Sequence, residues 1–173
     1  MLLYVLPQYM KNVGDGCIIK EDGVEKMYEI KINQVLKNIC KERMLDFKEV
    51  KRKSRRTLGQ SNVIPLFFSK DEIMFPIKIR RPKVSRDEVY GYINFDFIDK
   101  IEEGHVLLKD GQKIFYIESK RAVLKRTKLV RILEKELKGF EIKCVNFDLN
   151  TPATKEDVYL LLREIYNIKK LLE

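Results

Sequence analysis

The stretch HVLLKDGQKIFYIES, residues 105–119, decides the fold class that the sequence predicts. Two runs rich in aliphatic and aromatic residues flank Asp110-Gly111, and an Asp-Gly pair favours a tight hairpin turn. Ser119 can then cap a helix that runs through Lys138, because apolar residues recur there at helical spacing. Paired strands followed by a helix indicate an α+β fold.

The remaining elements fit the same class. A second hairpin is predicted over 17–32, around Glu21-Asp22-Gly23, and Asn33 can cap a short helix running to about Met44. Thr154 opens a last helix with a wide apolar stripe. Further strands are predicted at 2–7, 62–69, 72–79, 88–98 and 140–147. The prediction is α+β: a mostly antiparallel sheet, a short helix in the N-terminal half and two longer C-terminal helices.

Two segments are predicted to be irregular. Pro65 and Pro76 lie within predicted strands, where each removes a ladder donor, so they indicate edge positions or bulges. The segment KEVKRKSRRTLG, residues 48–59, shows no clear apolar period and is expected to be a mobile basic loop ending near Gly59.

Composition limits the class of protein. The chain has 173 residues, 45% of them hydrophobic, which suits one domain with a real core over 1–173. Its three cysteines are far apart and form no CxxC pair, so neither a disulfide framework nor a zinc site is supported, and we expect a reducing, cytoplasmic compartment. No apolar run approaches the roughly 18 residues of a membrane span. No cofactor and no metal are expected.

The positive charge is concentrated in three segments. The net charge is +9 and the sequence pI is about 9.4, which suggests a polyanionic partner. Segment 48–59 carries six basic residues against one acid, 78–86 carries five against none, and 120–138 carries eight against two. This clustering favours nucleic acid over a merely solvated surface, with an amphipathic membrane-surface helix as another interpretation of 120–138.

One group of residues raises an enzymatic alternative. Asp110, Glu118 and Lys120 have the order and spacing of PD-(D/E)xK nucleases, in which two carboxylates hold Mg²⁺ and a lysine assists the attack on phosphate. Against it, Asp-Gly is ordinary turn chemistry, and Glu118 and Lys120 flank a helix cap. His105 is the only histidine and has no evident partner for general-base catalysis.

Aromatic residues on the predicted strands have two interpretations. Seven of them could stack on single-stranded nucleic acid, or they could fill the core and cover the sheet, which we favour. They are Phe67, Phe68, Phe75, Tyr90, Tyr92, Phe95 and Phe97. A basic RNA-binding module therefore stays open beside a DNA-binding one.

Over about residues 4–138, from YVLP with Pro7 to the helix that starts at Ser119, the order of motifs resembles the ComK family of competence transcription factors. That family has an Ile-x-Phe-Pro run, a Cys-x-Trp-Ile strand, an Asn-Gly hairpin and a Ser-started helix. Ile73, Phe75 and Pro76 match the first run, Tyr90-Gly91-Tyr92-Ile93 stands where the second is expected, and Asp110-Gly111 replaces Asn-Gly. Upstream, RKSRRTLGQSNVIPL is similar in order to the Gly-Arg loop and proline-containing strand of the family.

The resemblance implies a transcription activator without catalytic activity. Such proteins bind A/T-rich duplex DNA through the minor groove, self-associate on DNA as dimers or tetramers, and are controlled by a proteolytic adaptor. A narrow A/T-rich minor groove attracts inserted arginine, and lysines can hold phosphates. The expected DNA-binding residues are Lys51, Arg52, Lys53, Arg55, Arg56, Lys78, Arg80, Arg81, Lys83, Arg121 and Lys125. Lys120 and Lys128 are expected to hold phosphates as well.

The C-terminal helix, within 148–173, is the expected element of self-association. Its leucines and isoleucines offer more apolar surface than one small core needs. Docking of this helix on its own sheet is an equally good interpretation. The sequence does not choose between the two.

Overall fold

The central element of the structure is a six-stranded antiparallel sheet in the order β3-β2-β1-β6-β5-β4. Its strands are β1 (Leu2–Met10), β2 (Gly14–Glu21), β3 (Val24–Tyr28), β4 (Leu66–Ser69), β5 (Glu72–Lys78) and β6 (Tyr90–Asn94). This is a computed structural model, which describes residues 1–11, 14–85 and 87–138 and, near the C-terminus, residues 158, 161, 162 and 165.

The remaining described elements are a small antiparallel sheet and three helices. The small sheet has the order β7-β8-β9, formed by β7 (Ile98–Glu102), β8 (His105–Leu108) and β9 (Lys113–Phe115). The helices are α1 (Ile32–Glu42), α2 (Phe47–Leu58) and α3 (Lys120–Lys138). The predicted α+β class is therefore confirmed.

The two faces of the central sheet carry separate hydrophobic clusters. On one face, Leu36 and Ile39 of α1 and Phe47 of α2 belong to a cluster with sheet residues such as Met74. On the other face, the small sheet and α3 pack against the strands. That second cluster includes Tyr4, Phe75, Ile93, Val106, Leu108, Val123, Val130 and Leu133. Each face therefore has its own covering layer.

The chain divides into two compact units, Met1–Phe140 and Glu141–Glu173. In the second unit the four described residues are helical and exposed, and their spacing is that of one helix face. They are Val158, Leu161, Leu162 and Ile165. The predicted strand at 140–147 and the rest of the predicted C-terminal helix lie outside the described residues. One domain over the whole chain stays a prediction.

Both predicted hairpins are present. The first turns at Asp22-Gly23, where φ is 49° and 78°, as a two-residue hairpin turn requires. The second joins β8 to β9 across Asp110-Gly111. Ser119 caps α3, since its Oγ accepts a hydrogen bond from the Ala122 amide at 3.3 Å.

The basic segment 48–59 is a helix, so the prediction of a mobile loop was wrong. Asp46 caps α2 by accepting from the amides of Lys48 at 2.7 Å and Glu49 at 3.0 Å, and Gly59 ends it with φ of 61°. The inward face holds only Phe47, Val50, Ser54 and, at its end, Leu58. In the sequence this apolar stripe is narrow, is interrupted by a serine and lies among six basic residues, so it does not indicate a helix clearly.

Three smaller predictions also need correction. Asn33 does not cap α1, because α1 begins after Lys31 and has no side-chain cap. The side-chain amide of Asn33 donates a hydrogen bond to the Glu88 carboxylate instead. The predicted strand at 88–98 is interrupted by a 3₁₀ turn at Phe95–Phe97. Pro76 lies in the inner strand β5 and not at the predicted edge or bulge. Because β4 pairs with β5 only as far as Met74, the missing amide hydrogen of Pro76 breaks no ladder bond to β4.

Candidate nucleic-acid interface

Helix α3 connects the three basic segments in space. At its start, the Lys78 amide donates to Glu118 Oε1 at 2.9 Å, and the Ile117 amide donates to the Lys78 carbonyl at 2.9 Å. The segment beginning at Lys78 therefore lies beside the first turn of α3. Helix α3 also contacts α2. Segments far apart in sequence thus become neighbours in the first unit.

The two contacting helices together carry a larger net positive charge than the whole chain. Helix α2 has six basic residues and one acid, and α3 has eight and two, which gives the pair a net charge of +11. The whole chain carries only +9, so everything outside the two helices is slightly acidic. Charge segregated in this way creates a local positive potential that the net charge understates.

The outer face of α2 presents its arginines to solvent. Arg52, Arg55 and Arg56 are exposed and line an open groove with Gly59, Gln60 and Ser61. Arg52 also pairs with Glu49 at 2.5 Å, but both side chains are largely solvated, so the pair is weak. Among the described residues, Arg55 and Arg56 form no ion pair. They are available to an external anion.

The lysines of α2 differ in how far they are exposed. Lys51 is half-buried, with its ammonium 4.2 Å from the Phe47 ring centre and 3.2 Å from Asn33 Oδ1. Burial lowers the pKa of Lys51 below its ordinary value, with the nearby Arg55 charge acting in the same direction. Lys53 is exposed, and its ammonium lies 5.6 Å from the Phe67 ring centre.

Helix α3 carries a second basic groove. It is lined by Lys120, Arg121, Leu124, Lys125 and Lys128. All four basic residues of this groove are among the expected phosphate contacts. Arg121, Lys125 and Lys128 are spaced i, i+4 and i+7, so they lie on one helix face.

Segment 78–86 contributes fewer available cations than its composition indicates. The Arg80 guanidinium pairs with Asp15, donates from Nε to the Glu88 carbonyl at 2.8 Å, and stacks on the Tyr9 ring at 3.8 Å. Its side chain is only 11% exposed. Arg80 is therefore a structural residue, whereas Arg81 and Lys83 are exposed and Lys78 is half-buried.

The loop that carries Arg81 and Lys83 is held by Asp87. The Asp87 carboxylate accepts hydrogen bonds from the Tyr9 hydroxyl, the Lys83 amide at 2.9 Å and the Val84 amide at 2.8 Å. The Tyr9 bond first, and then the amides, lower the pKa of Asp87 below its ordinary value. The basic loop thus has an anchor of its own.

The two carboxylates of the nuclease alternative have other partners, and Lys120 lines the basic groove of α3. Asp110 pairs with Lys20 at 2.7 Å, and that contact lowers the pKa of Asp110. Glu118 pairs with Arg126 and accepts from the Lys78 amide. Across the described ranges, no three His, Cys, Asp or Glu side chains are grouped to hold a metal ion. His105 Nε2 lies 3.0 Å from a Glu102 oxygen but is not aligned for a hydrogen bond.

The seven strand aromatics are buried or half-buried rather than exposed. Phe68 and Phe75 belong to the two hydrophobic clusters, and Phe67, Phe95 and Tyr92 pack at their margins. This agrees with the preferred interpretation that they form the core. Within the part of the chain that the structure describes, no helix is long and apolar enough to cross a membrane.

Comparison with known proteins gives no relative. No protein-family model matches the chain, and neither a curated protein nor a solved structure matches it.

Proposed function

We propose that this protein binds duplex DNA through the basic surface formed by α2, α3 and the loop at Arg81 and Lys83. The observation that carries the proposal is the contact between α2 and α3, which brings a net charge of +11 together. A surface of this charge gains affinity for a polyanion when phosphate contacts release condensed counterions.

The arginines of α2 are the proposed sequence-selective element. Arg55 and Arg56 are exposed in the last turn of a helix whose two ends are both capped. Because the helix is already ordered, inserting these side chains into a groove costs less entropy than ordering a loop would. A narrow A/T-rich minor groove attracts arginine through its enhanced negative potential.

The remaining cations have a different proposed role. Arg121, Lys125 and Lys128 on α3 and Lys83 on the loop would contact phosphates, which gives affinity and orientation but little base selectivity. Arg80 and Arg126 have no direct role in this proposal because each is paired with a carboxylate.

The resemblance to ComK proteins extends the proposal to transcription. On that basis the protein is a cytoplasmic, self-associating activator that prefers A/T-rich sites and is controlled by a proteolytic adaptor. The resemblance supports this part of the proposal by motif order alone, and the charged surface supports only the DNA binding.

Fluorescence anisotropy with A/T-rich duplex DNA, G/C-rich duplex DNA and duplex RNA, each over a salt series, tests the proposal. We expect A/T-rich DNA to bind most tightly, with affinity falling steeply as salt rises. The double variant Arg55→Ala/Arg56→Ala should reduce both the affinity for A/T-rich DNA and the magnitude of the salt slope.

The matched control is Lys100→Ala/Lys109→Ala, which removes the same charge from exposed positions of the small sheet and its turn. It should leave the salt slope nearly unchanged. Equal binding of all three nucleic acids, or equal losses in the two double variants, would show that only general charge is involved. Preference for duplex RNA would replace the DNA proposal with an RNA-binding one.

A further inference from the structure

The outer edge of β3 is the most exposed strand surface in the described structure. All five residues from Val24 to Tyr28 are exposed, and among the described strands β3 pairs only with β2. Val24 is 54% exposed and Met27 is 68% exposed. An edge strand of this kind offers unpaired backbone groups together with apolar side chains, which is a template for pairing with another strand.

The hairpin register shows which backbone groups are free. In a two-residue hairpin the residues beside the turn, here Glu21 and Val24, form a hydrogen-bonded pair, and such pairs then alternate along the ladder. Val24, Lys26 and Tyr28 therefore point their backbone groups towards β2. Glu25 and Met27 point theirs outwards, away from the sheet.

Two copies of this edge are complementary when they pair antiparallel about a two-fold axis at Lys26. The outward backbone N–H and C=O groups of Glu25 then hydrogen-bond those of Met27 in the second copy, and those of Met27 bond Glu25 of the second copy. Each of the five residues of β3 then lies opposite a residue of the second copy. Val24 lies opposite Tyr28 of the second copy on one face of the joined sheet. Apolar and aromatic pairs of this type stabilise neighbouring strands.

The residue on the axis opposes this pairing. Two Lys26 side chains would face each other in a non-hydrogen-bonded pair, where strands approach most closely. Like charges placed directly opposite one another destabilise a sheet, and an edge lysine is a common protection against strand association. Salt screens this repulsion.

We propose that β3 pairs with β3 of a second copy to give a continuous twelve-stranded sheet, and that Lys26 restrains this association. The proposal concerns an interface between copies and does not depend on DNA binding. It predicts an unusual salt response: self-association strengthens with salt, whereas binding to DNA weakens.

Sedimentation equilibrium over a protein concentration series at low and high salt tests the interface. We expect wild type to associate weakly, and more at high salt. Lys26→Thr should associate more tightly and lose most of that salt dependence. Met27→Pro should be monomeric with an unchanged circular dichroism spectrum, because it removes an outward amide and leaves the bonds to β2 intact.

Disulfide trapping tests the register independently. In a Cys144→Ser background, Lys26→Cys should form a cross-linked dimer, because the two positions meet at the axis. Met27→Cys, which would face Glu25 of the second copy, is the matched control and should form little. The native Cys17 and Cys40 are buried, and burial raises the pKa of each to about 11, so they should stay unreactive.

The proposal is overturned if wild type and Lys26→Thr are both monomeric at every concentration and salt. It is also overturned if Met27→Cys cross-links as readily as Lys26→Cys, since the register would then be wrong. A Met27→Pro variant that associates like wild type would place the interface elsewhere.

Discussion

Arg55 and Arg56 at the end of α2 and Arg126 in α3 have opposite environments. Arg55 and Arg56 are solvated, whereas Arg126 is 8% exposed, pairs with Glu118 and donates to the Pro76 carbonyl at 2.5 Å. Both groups belong to basic runs that look alike in sequence. The difference shows that a carboxylate brought close by the fold, and not the local density of charge, decides whether an arginine serves structure or an external partner.

The largest expected effect comes from breaking the buried pair. Arg126→Met leaves the Glu118 carboxylate without its guanidinium partner, and removing one member of a buried ion pair costs about 3–5 kcal/mol. Chemical unfolding should show a loss of that size. Arg121→Met, at an exposed position of the same helix, is the control and should change the free energy of unfolding by less than about 0.5 kcal/mol.

Adding Glu118→Gln to Arg126→Met provides a second check. The neutral amide removes the uncompensated charge, so the double variant should regain part of the lost stability. If Arg126→Met were as stable as Arg121→Met, the contrast between structural and exposed arginines would be wrong.

An intermediate effect is expected from the cap of α2. Asp46→Ala removes the side chain that accepts from the Lys48 and Glu49 amides, which costs about 1 kcal/mol. Thermal unfolding should shift accordingly, and binding to A/T-rich DNA should weaken because the arginines lose their rigid support. Asp99→Ala, an exposed acid on β7, is the charge-matched control. If Asp46→Ala were as stable as the wild type, the conclusion that Asp46 caps α2 would be wrong.

The smallest effect concerns the loop that carries Arg81 and Lys83. The folded pKa of Asp87 lies below its ordinary value of 3.8, so the hydrogen bonds of its carboxylate stabilise the fold at higher pH and are lost only as pH falls through the folded value. The amide shifts of Lys83 and Val84 in an NMR titration should stay constant from pH 8 to 5 and change below pH 3.8.

Asp87→Asn is the control for that titration, because it should abolish the acid transition at both amides. A transition that persists in this variant, or one centred above pH 3.8, would assign the anchoring of the loop to another group.

Local chemistry accounts for the features that the sequence predicted well. The two Asp-Gly turns and the Ser119 cap depend on backbone preferences of a few adjacent residues, so they could be identified without any knowledge of the fold. Helix α2 was missed for the opposite reason. Its cap, Asp46, lies just before the basic run, and its stability depends on a short inward face that packs on the sheet.

The sequence by itself determined the α+β class, the hairpins and the amount and clustering of positive charge. Only the tertiary structure decided which charges remain available, because it placed α2 against α3 and paired Arg80 with Asp15 and Arg126 with Glu118. It also placed β3 at the edge of the central sheet. The physical reason is that turns and caps depend on neighbours along the chain. Ion pairs, helix contacts and strand edges depend on residues that only folding brings within reach.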